Sequence, residues 1–256
     1  MRSLTICLIG FASIFLGALI GMWVRRLMPE GHLKDESREI LKVGSGTIAT
    51  LSALVLGLLV GSSKSAFDST NALIIQGSTK ILVLDAILSD YGPETKDARV
   101  LLQRTAASGV EMFWPQAGGK PSGMSALEKA NAMEQLRAMI RSLTPATDAQ
   151  KQLRSDALSA ANDMLQMRWL LIEQAQGSLP WLLVLMLLFW LTMMHFSFGL
   201  LAPRNATAVT VLFISALAMS GAVFLILEMS HPMTGFIRVQ PTPMLKAIEL
   251  MDARKS

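Results

Sequence analysis

The sequence predicts an all-helical membrane protein with four transmembrane helices, paired two and two around a long helical extramembrane insert. Three observations predict it. Hydrophobic residues fill 52% of the 256 positions and charged residues only 16%, against about 25% charged in soluble domains. The apolar residues gather in four blocks, each near the ~20 residues that a membrane-spanning helix needs. No apolar–polar alternation of useful length occurs, so strands are not expected.

The elements follow in chain order. Residues 4–24 form the first span, which ends in Arg25-Arg26. Its apolar run is longer than the roughly 7–15 residues of a signal peptide, so it is read as a retained helix. Residues 43–62 form the second span. Beyond it Phe67, Thr70, Ile74, Gly77, Ile81, Leu84 and Leu88 recur at steps of three and four, an apolar seam that continues the same helix. The stop comes at Tyr91-Gly92-Pro93, where Gly terminates one helix and Pro suits the first turn of the next. Residues 43–89 contain no strong breaker, which gives a rod of roughly 70 Å, of which the bilayer core takes about 30 Å.

The insert, residues 63–178, carries twelve Lys/Arg and twelve Asp/Glu, the even mixture of a solvated helical surface. Helices are expected at 93–113 and 125–143, with a Pro/Gly-rich loop at 115–123 between them. Thr147 caps a long helix to about Gln176, and Gly177-Ser178-Leu179-Pro180 breaks it. Spans three and four, residues 179–202 and 208–227, are joined by the tight turn Ala202-Pro203-Arg204-Asn205-Ala206. The tail, residues 229–256, holds a Pro-rich turn and a short helix from about Pro243.

Composition excludes several functions. The net charge of +4 is scattered, without the basic stripe that grips nucleic acid. One cysteine, Cys7, and three separated histidines offer no disulfide or metal-ligand spacing, and no cofactor is implied. No nucleophile, base or metal set marks an enzyme. "GLLVGSSKS" lacks the adjacent Gly-Lys-Ser/Thr of a phosphate loop and lies inside a helix. The seventeen methionines are scattered and read as apolar filler rather than a copper array.

The second span carries the candidate site. Gly46, Thr50, Ala53, Gly57 and Gly61 are spaced 4, 3, 4 and 4 and share one face, with Thr47 and Ser52 adding hydroxyls. Span one has a corresponding set in Gly10, Ser13, Gly17 and Gly21. Small residues let helices approach closely in lipid, so one expectation is that the two stripes pack on each other. The other is that span two, with Phe67 beyond it, faces a shared axis and offers its hydroxyls to water or ions. The span interiors hold no Asp, Glu, Lys or Arg, which argues against a proton-coupled transporter. His195 and Glu228 are the titratable candidates for gating, set against bland roles as a hydrogen-bonded histidine and a helix-end acid. Asp85, Asp90 and Glu94 form a weak cation candidate at the Tyr91-Gly92-Pro93 corner, where a charged helix-turn-helix corner accounts for the acids better, two of them standing where capping and helix dipoles favour them.

The strings "GTIATLSALVLGLLVGSSKSAFD", "LDAILSDYGPE", "RWLLIEQAQGSLPW", "FWLTMMHFSFGLLAPRNAT" and "LILEMSHPMTGFIRV" together resemble a bacterial bestrophin-like membrane protein family of unknown function. The resemblance runs over nearly the whole chain. Bestrophins proper are pentameric anion channels with four spans, a cytoplasmic helical insert and a pore lined by span two. The resemblance therefore implies a homo-oligomeric ion channel of the bacterial inner membrane, embedded in the lipid bilayer, with inorganic ions as its ligands and the insert in the cytoplasm. This sequence departs from bestrophins in two respects: span two has no aromatic residue before Phe67, and the acidic calcium clasp has only Glu228 and the Asp85–Glu94 corner as loose counterparts. Arg25-Arg26 taken alone places the insert outside, the reverse of what the resemblance implies. The alternative to a channel is a non-conducting membrane scaffold or sensor whose insert binds a protein partner.

Overall fold

The computed structural model describes residues 2–28, 35–115, 121–175, 181–233 and 235–254. Among these residues eight α-helices run in the order α1 (Arg2–Leu27), α2 (Asp35–Tyr91), α3 (Lys96–Phe113), α4 (Ala126–Ser142), α5 (Asp148–Ala175), α6 (Trp181–Leu201), α7 (Ala206–Met229) and α8 (Thr242–Ala253). No strand occurs among the described residues. The expected breaker at 177–180 and most of the expected loop at 115–123 lie outside them. Four helices, α1, α2, α6 and α7, are long and apolar enough to cross a membrane. Helix α2 is longer than the rod expected from sequence, at 57 residues. It begins eight residues before Val43, in the polar stretch "DESREILK", where no apolar pattern announces a helix.

The chain forms two units, with α2 contributing to both. The first contains α1, α2 as far as Phe67, α6, α7 and the segment to Arg238. Within it α1 packs on α6 and α7. The contact with α6 is glycine-driven. A Cβ at Gly21 would lie 2.1 Å from the Phe196 carbonyl oxygen, and one at Gly199 would lie 2.0 Å from that of Ala18. At Gly17 it would meet the Thr192 carbonyl oxygen at 2.9 Å. The two backbones thus approach too closely for any side chain, the arrangement by which helices associate in lipid. The Arg25 guanidinium donates to the carbonyls of Leu201 (3.3 Å) and Ala202, which closes the C-terminus of α6. Against α7, the Ser220 hydroxyl donates to the Cys7 carbonyl (2.8 Å), and Phe11 and Phe15 meet the edge of Phe213. The Asn205 side chain caps α7 by accepting from the Ala208 amide (2.8 Å).

This corrects one expectation. The small residues of span one do not pack on those of span two; their partner is α6, and Gly199 is the reciprocal small residue.

The second unit contains the rest of α2, α3 to α5, and α8. The predicted seam is its spine: Thr70, Ile74, Gly77, Ile81, Leu84 and Leu88 are all buried. Ile81, Leu84 and Leu88 share a core with Leu102 of α3, Leu136 and Ile140 of α4, Ala161 of α5 and Met251 of α8. Helix α2 ends where expected, at Gly92, whose φ of 133° only glycine adopts readily. The buried Thr95 hydroxyl bonds the Gly92 carbonyl (2.8 Å), and Gln150 of α5 donates to that of Tyr91 (3.1 Å). These bonds satisfy carbonyls left over at the end of α2. Ser125 and Glu128 form a capping box at the start of α4. Trp114 donates its indole N–H to the Val239 carbonyl (2.8 Å), and α8 packs on α3, so the tail helix is part of the insert's core.

Glu111 pins the approach to α4. Its carboxylate accepts from the Lys129 ammonium (2.6 Å), the Ser122 amide (2.5 Å) and the Ser122 hydroxyl (2.8 Å). The Lys129 bond, then the two Ser122 bonds, hold its pKa down to about 2, from an ordinary 4.5.

Two outcomes follow from these contacts. Gly21→Leu forces a side chain into the α6 backbone, so it destabilises the first unit by about 1–3 kcal/mol or more, read as a lowered melting temperature in detergent. Because the pKa of Glu111 is depressed, its contribution is complete above pH 4.5 and is lost as the pH falls through about 2. Protection of the Ser122 amide against hydrogen exchange, corrected for intrinsic rate, should decline across that window. In Glu111→Gln it should be low and should not follow that decline.

Candidate functional site

A helical step of about 100° divides the membrane part of α2 into three faces. Ser45, Ser52, Leu59 and Ser63 are buried, and Leu59 joins the apolar core formed with Ile14, Leu187 and Leu191. This face anchors α2 to its own unit. Roughly a third of a turn away stands the small-residue stripe, Gly46, Thr50, Ala53, Gly57 and Gly61, and every member is exposed. A Cβ added at Gly46, Gly57 or Gly61 meets nothing within 4 Å. The third face, nearly opposite the anchor, is bulky and apolar: Val43, Leu51, Leu54 and Leu58 are 66%, 45%, 71% and 63% exposed. Thr47 belongs to this third face rather than to the stripe.

Three hydroxyls on the membrane part of α2 are internally satisfied as donors. Thr47 donates to the Val43 carbonyl (3.1 Å), Thr50 to that of Gly46 (3.0 Å) and Ser45 to that of Leu41 (2.6 Å). Each oxygen keeps lone pairs for a further partner. The buried Ser52 hydroxyl has no hydrogen-bond partner. Phe67 lies at the edge of the anchoring face instead of on the stripe, with the Lys64 ammonium 5.9 Å from its ring centroid.

The gating candidates are engaged in packing. His195 is fully buried in α6, with Nδ1 2.9 Å from the Leu191 carbonyl and Nε2 2.9 Å from the Ser215 hydroxyl of α7. Since the carbonyl can only accept, Nδ1 carries a proton. Glu228, in the last turn of α7, is buried and accepts the amides of Phe236 (2.6 Å) and Ile237 (3.4 Å). It thereby closes a turn whose apex, Gly235, has a φ of 104° and no room for a Cβ beside the carboxylate.

The weak cation candidate is not assembled. Asp85 is fully buried and forms a two-pronged ion pair with Arg99 (2.8 and 3.2 Å), with Arg254 at 3.9 Å. Asp90 and Glu94 are exposed. No group of three or more His, Cys, Asp or Glu side chains is placed to hold a metal ion among the described residues. The reason is electrostatic: a carboxylate this deeply buried requires a bonded cation, and Arg99 supplies it.

Sequence reasoning missed the partner of span one and the role of Arg25. Gly199 in "FSFGLL" was the available signal for the first. Nothing local marks the second, because the carbonyls that Arg25 bonds lie 176 and 177 residues away.

These features can be set beside known proteins. The bestrophin-like domain model matches residues 12–244. Crystal structures of two point mutants of a bacterial bestrophin homologue from Klebsiella pneumoniae superpose with TM-scores of 0.68 and 0.66, each at 16% identity and covering 98% of this chain and 97% of theirs. A third structure, of a protein described as a membrane protein, gives a TM-score of 0.65 at 16% identity, with 96% of both chains covered. No curated protein matches. The structural likeness shows a shared fold, and the domain match spans most of the chain: the protein belongs to the bestrophin-like family of membrane proteins.

Proposed function

We propose that the protein is an oligomeric ion channel of the bacterial inner membrane, with α2 nearest the pore and the insert in the cytoplasm. The observation that carries this reading is the open side of α2. One face anchors the helix, and the other two, a stripe of small residues and a band of leucines, are exposed, with open space beside Gly46, Gly57 and Gly61. A helix so exposed gains packing only from further copies, and the family's symmetric architecture, a pentamer by resemblance, supplies them.

In a ring the anchoring face turns outward to its own subunit. Thr47, Leu54 and Leu58 then stand nearest the axis, and the glycine stripe lies on the flank toward the next copy, with Thr50 between. Both readings of the stripe thus have a place: Gly57 and Gly61 in subunit packing, Thr50 and Thr47 toward water and ions. The uncharged span interiors suit a pore in which ions meet hydroxyls and carbonyls rather than a proton relay.

Reconstituted protein should conduct above empty liposomes and should have the native mass of a closed ring of five. A stable monomer, or a ring without conductance, overturns the reading. Gly57→Leu and Gly61→Leu should impair assembly, whereas Thr50→Ala and Leu54→Thr should keep the ring and change its conductance. A current unchanged by the latter pair would leave packing as the sole role of this side of the helix. For orientation, an Asp148→Cys variant in a Cys7→Ser background places a thiol at a site whose native side chain is 96% exposed. An impermeant maleimide should label it only after spheroplasts are lysed, and labelling of intact spheroplasts would put the insert outside.

A further inference from the structure

The insert contains a cavity that its own packing does not fill. It lies among α2, α3, α4, α5 and α8 and is a half-open cavity of about 110 Å³. The wall is apolar and adaptable, with Met133, Met164, Met167 and Met244 on it beside Phe113 and Leu171. Its two hydroxyl residues present no free donor: Thr105 donates to the Leu101 carbonyl (2.7 Å) and Ser108 to that of Thr105 (2.8 Å).

Two helix-interior glycines border the same space. A Cβ at Gly109 meets nothing within 4 Å, and one at Gly77 meets only the Met167 sulfur at 3.9 Å. Glycine inside a helix is disfavoured relative to alanine, and here no neighbouring backbone requires it. What these glycines leave is room.

The polar feature of the wall is cationic. Lys129 is neutralised by Glu111 at 2.6 Å. Arg168 is not neutralised: its guanidinium reaches only the Lys129 carbonyl, at 3.5 Å, and no carboxylate pairs with it among the described residues. A half-buried guanidinium over an apolar, methionine-walled cavity is complementary to a ligand with an anionic, planar head and a hydrocarbon body.

We propose that this cavity binds a long-chain fatty acid, its carboxylate on Arg168 and its chain among the methionines beside Gly77 and Gly109. The site is separate from the α2 face and stands whether or not the protein conducts.

The test uses the full-length protein in phosphatidylcholine nanodiscs and palmitate carrying a diazirine near its chain end. Irradiation should place adducts on α3 and α5 peptides around Gly109 and Met167. Unlabelled palmitate should compete, and hexadecanol, which lacks the charge, should compete about tenfold less well. Arg168→Gln should weaken palmitate competition by about the same factor while leaving hexadecanol unchanged. Gly109→Leu, which fills the space and favours the helix, should abolish the adducts at an unchanged melting temperature. Adducts confined to α1, α6 and α7, equal competition by the alcohol, or wild-type labelling of Gly109→Leu would each overturn the proposal. So would a cavity covered by a second copy, seen as absent labelling in the wild type together with a shift in native mass for Gly109→Leu.

Discussion

Lipid gives helices no hydrophobic reason to meet, because its tails are as apolar as their side chains. Everything in the membrane unit depends on what replaces that force. Here it is backbone proximity between α1 and α6, with Gly17 and Gly21 on one side and Gly199 on the other. Close approach makes dispersion contacts dense, and short polar side chains secure the fit, as Ser220 does at the Cys7 carbonyl. Once α1 is committed to α6 and α7, it has no small-residue face left for α2. Beside Gly46, Gly57 and Gly61 of α2 the space is open.

The insert obeys the rules of water. Its helices bury a periodic apolar seam, and the carboxylate that goes fully inside, Asp85, is paired. Asp85 shows the constraint: a fully buried carboxylate is held by the guanidinium of Arg99. The helix ends are closed by side chains distant in sequence, such as Gln150 at Tyr91 and Arg154 at Leu143. Against this thorough closure the space beside Gly77 and Gly109 stands out, since a core at native density has few voids larger than a water molecule. Five of the seventeen methionines, scattered along the chain, line it.

Much of this was legible in the amino-acid order. The four spans, the stop at Gly92, the helix from Ser125 and the seam from Thr70 to Leu88 are local signals, set by periodicity and by residues with special backbone chemistry. The candidate face on α2 was legible as a stripe, and its members share one side as the spacing requires. Less legible was which neighbour that side sees. Thr47 and Phe67 show the limit: adjacent to the stripe in sequence, they fall on the leucine face and the anchoring edge respectively, because one residue turns the helix by about 100°.

The sequence by itself determined the helices, most of their ends and the division into an apolar and a solvated part, since these depend on interactions within a few residues. Only the tertiary structure decided that α1 pairs with α6, that Asp85 is an ion-pair partner instead of a cation ligand, that Glu228 closes a turn, and that α8 belongs to the insert's core. Each of those outcomes joins residues far apart in the chain. Small residues, acids and apolar helices have many partners that satisfy the same local chemistry. Steric fit and the need to pair every buried charge select among them, and both are properties of the folded arrangement.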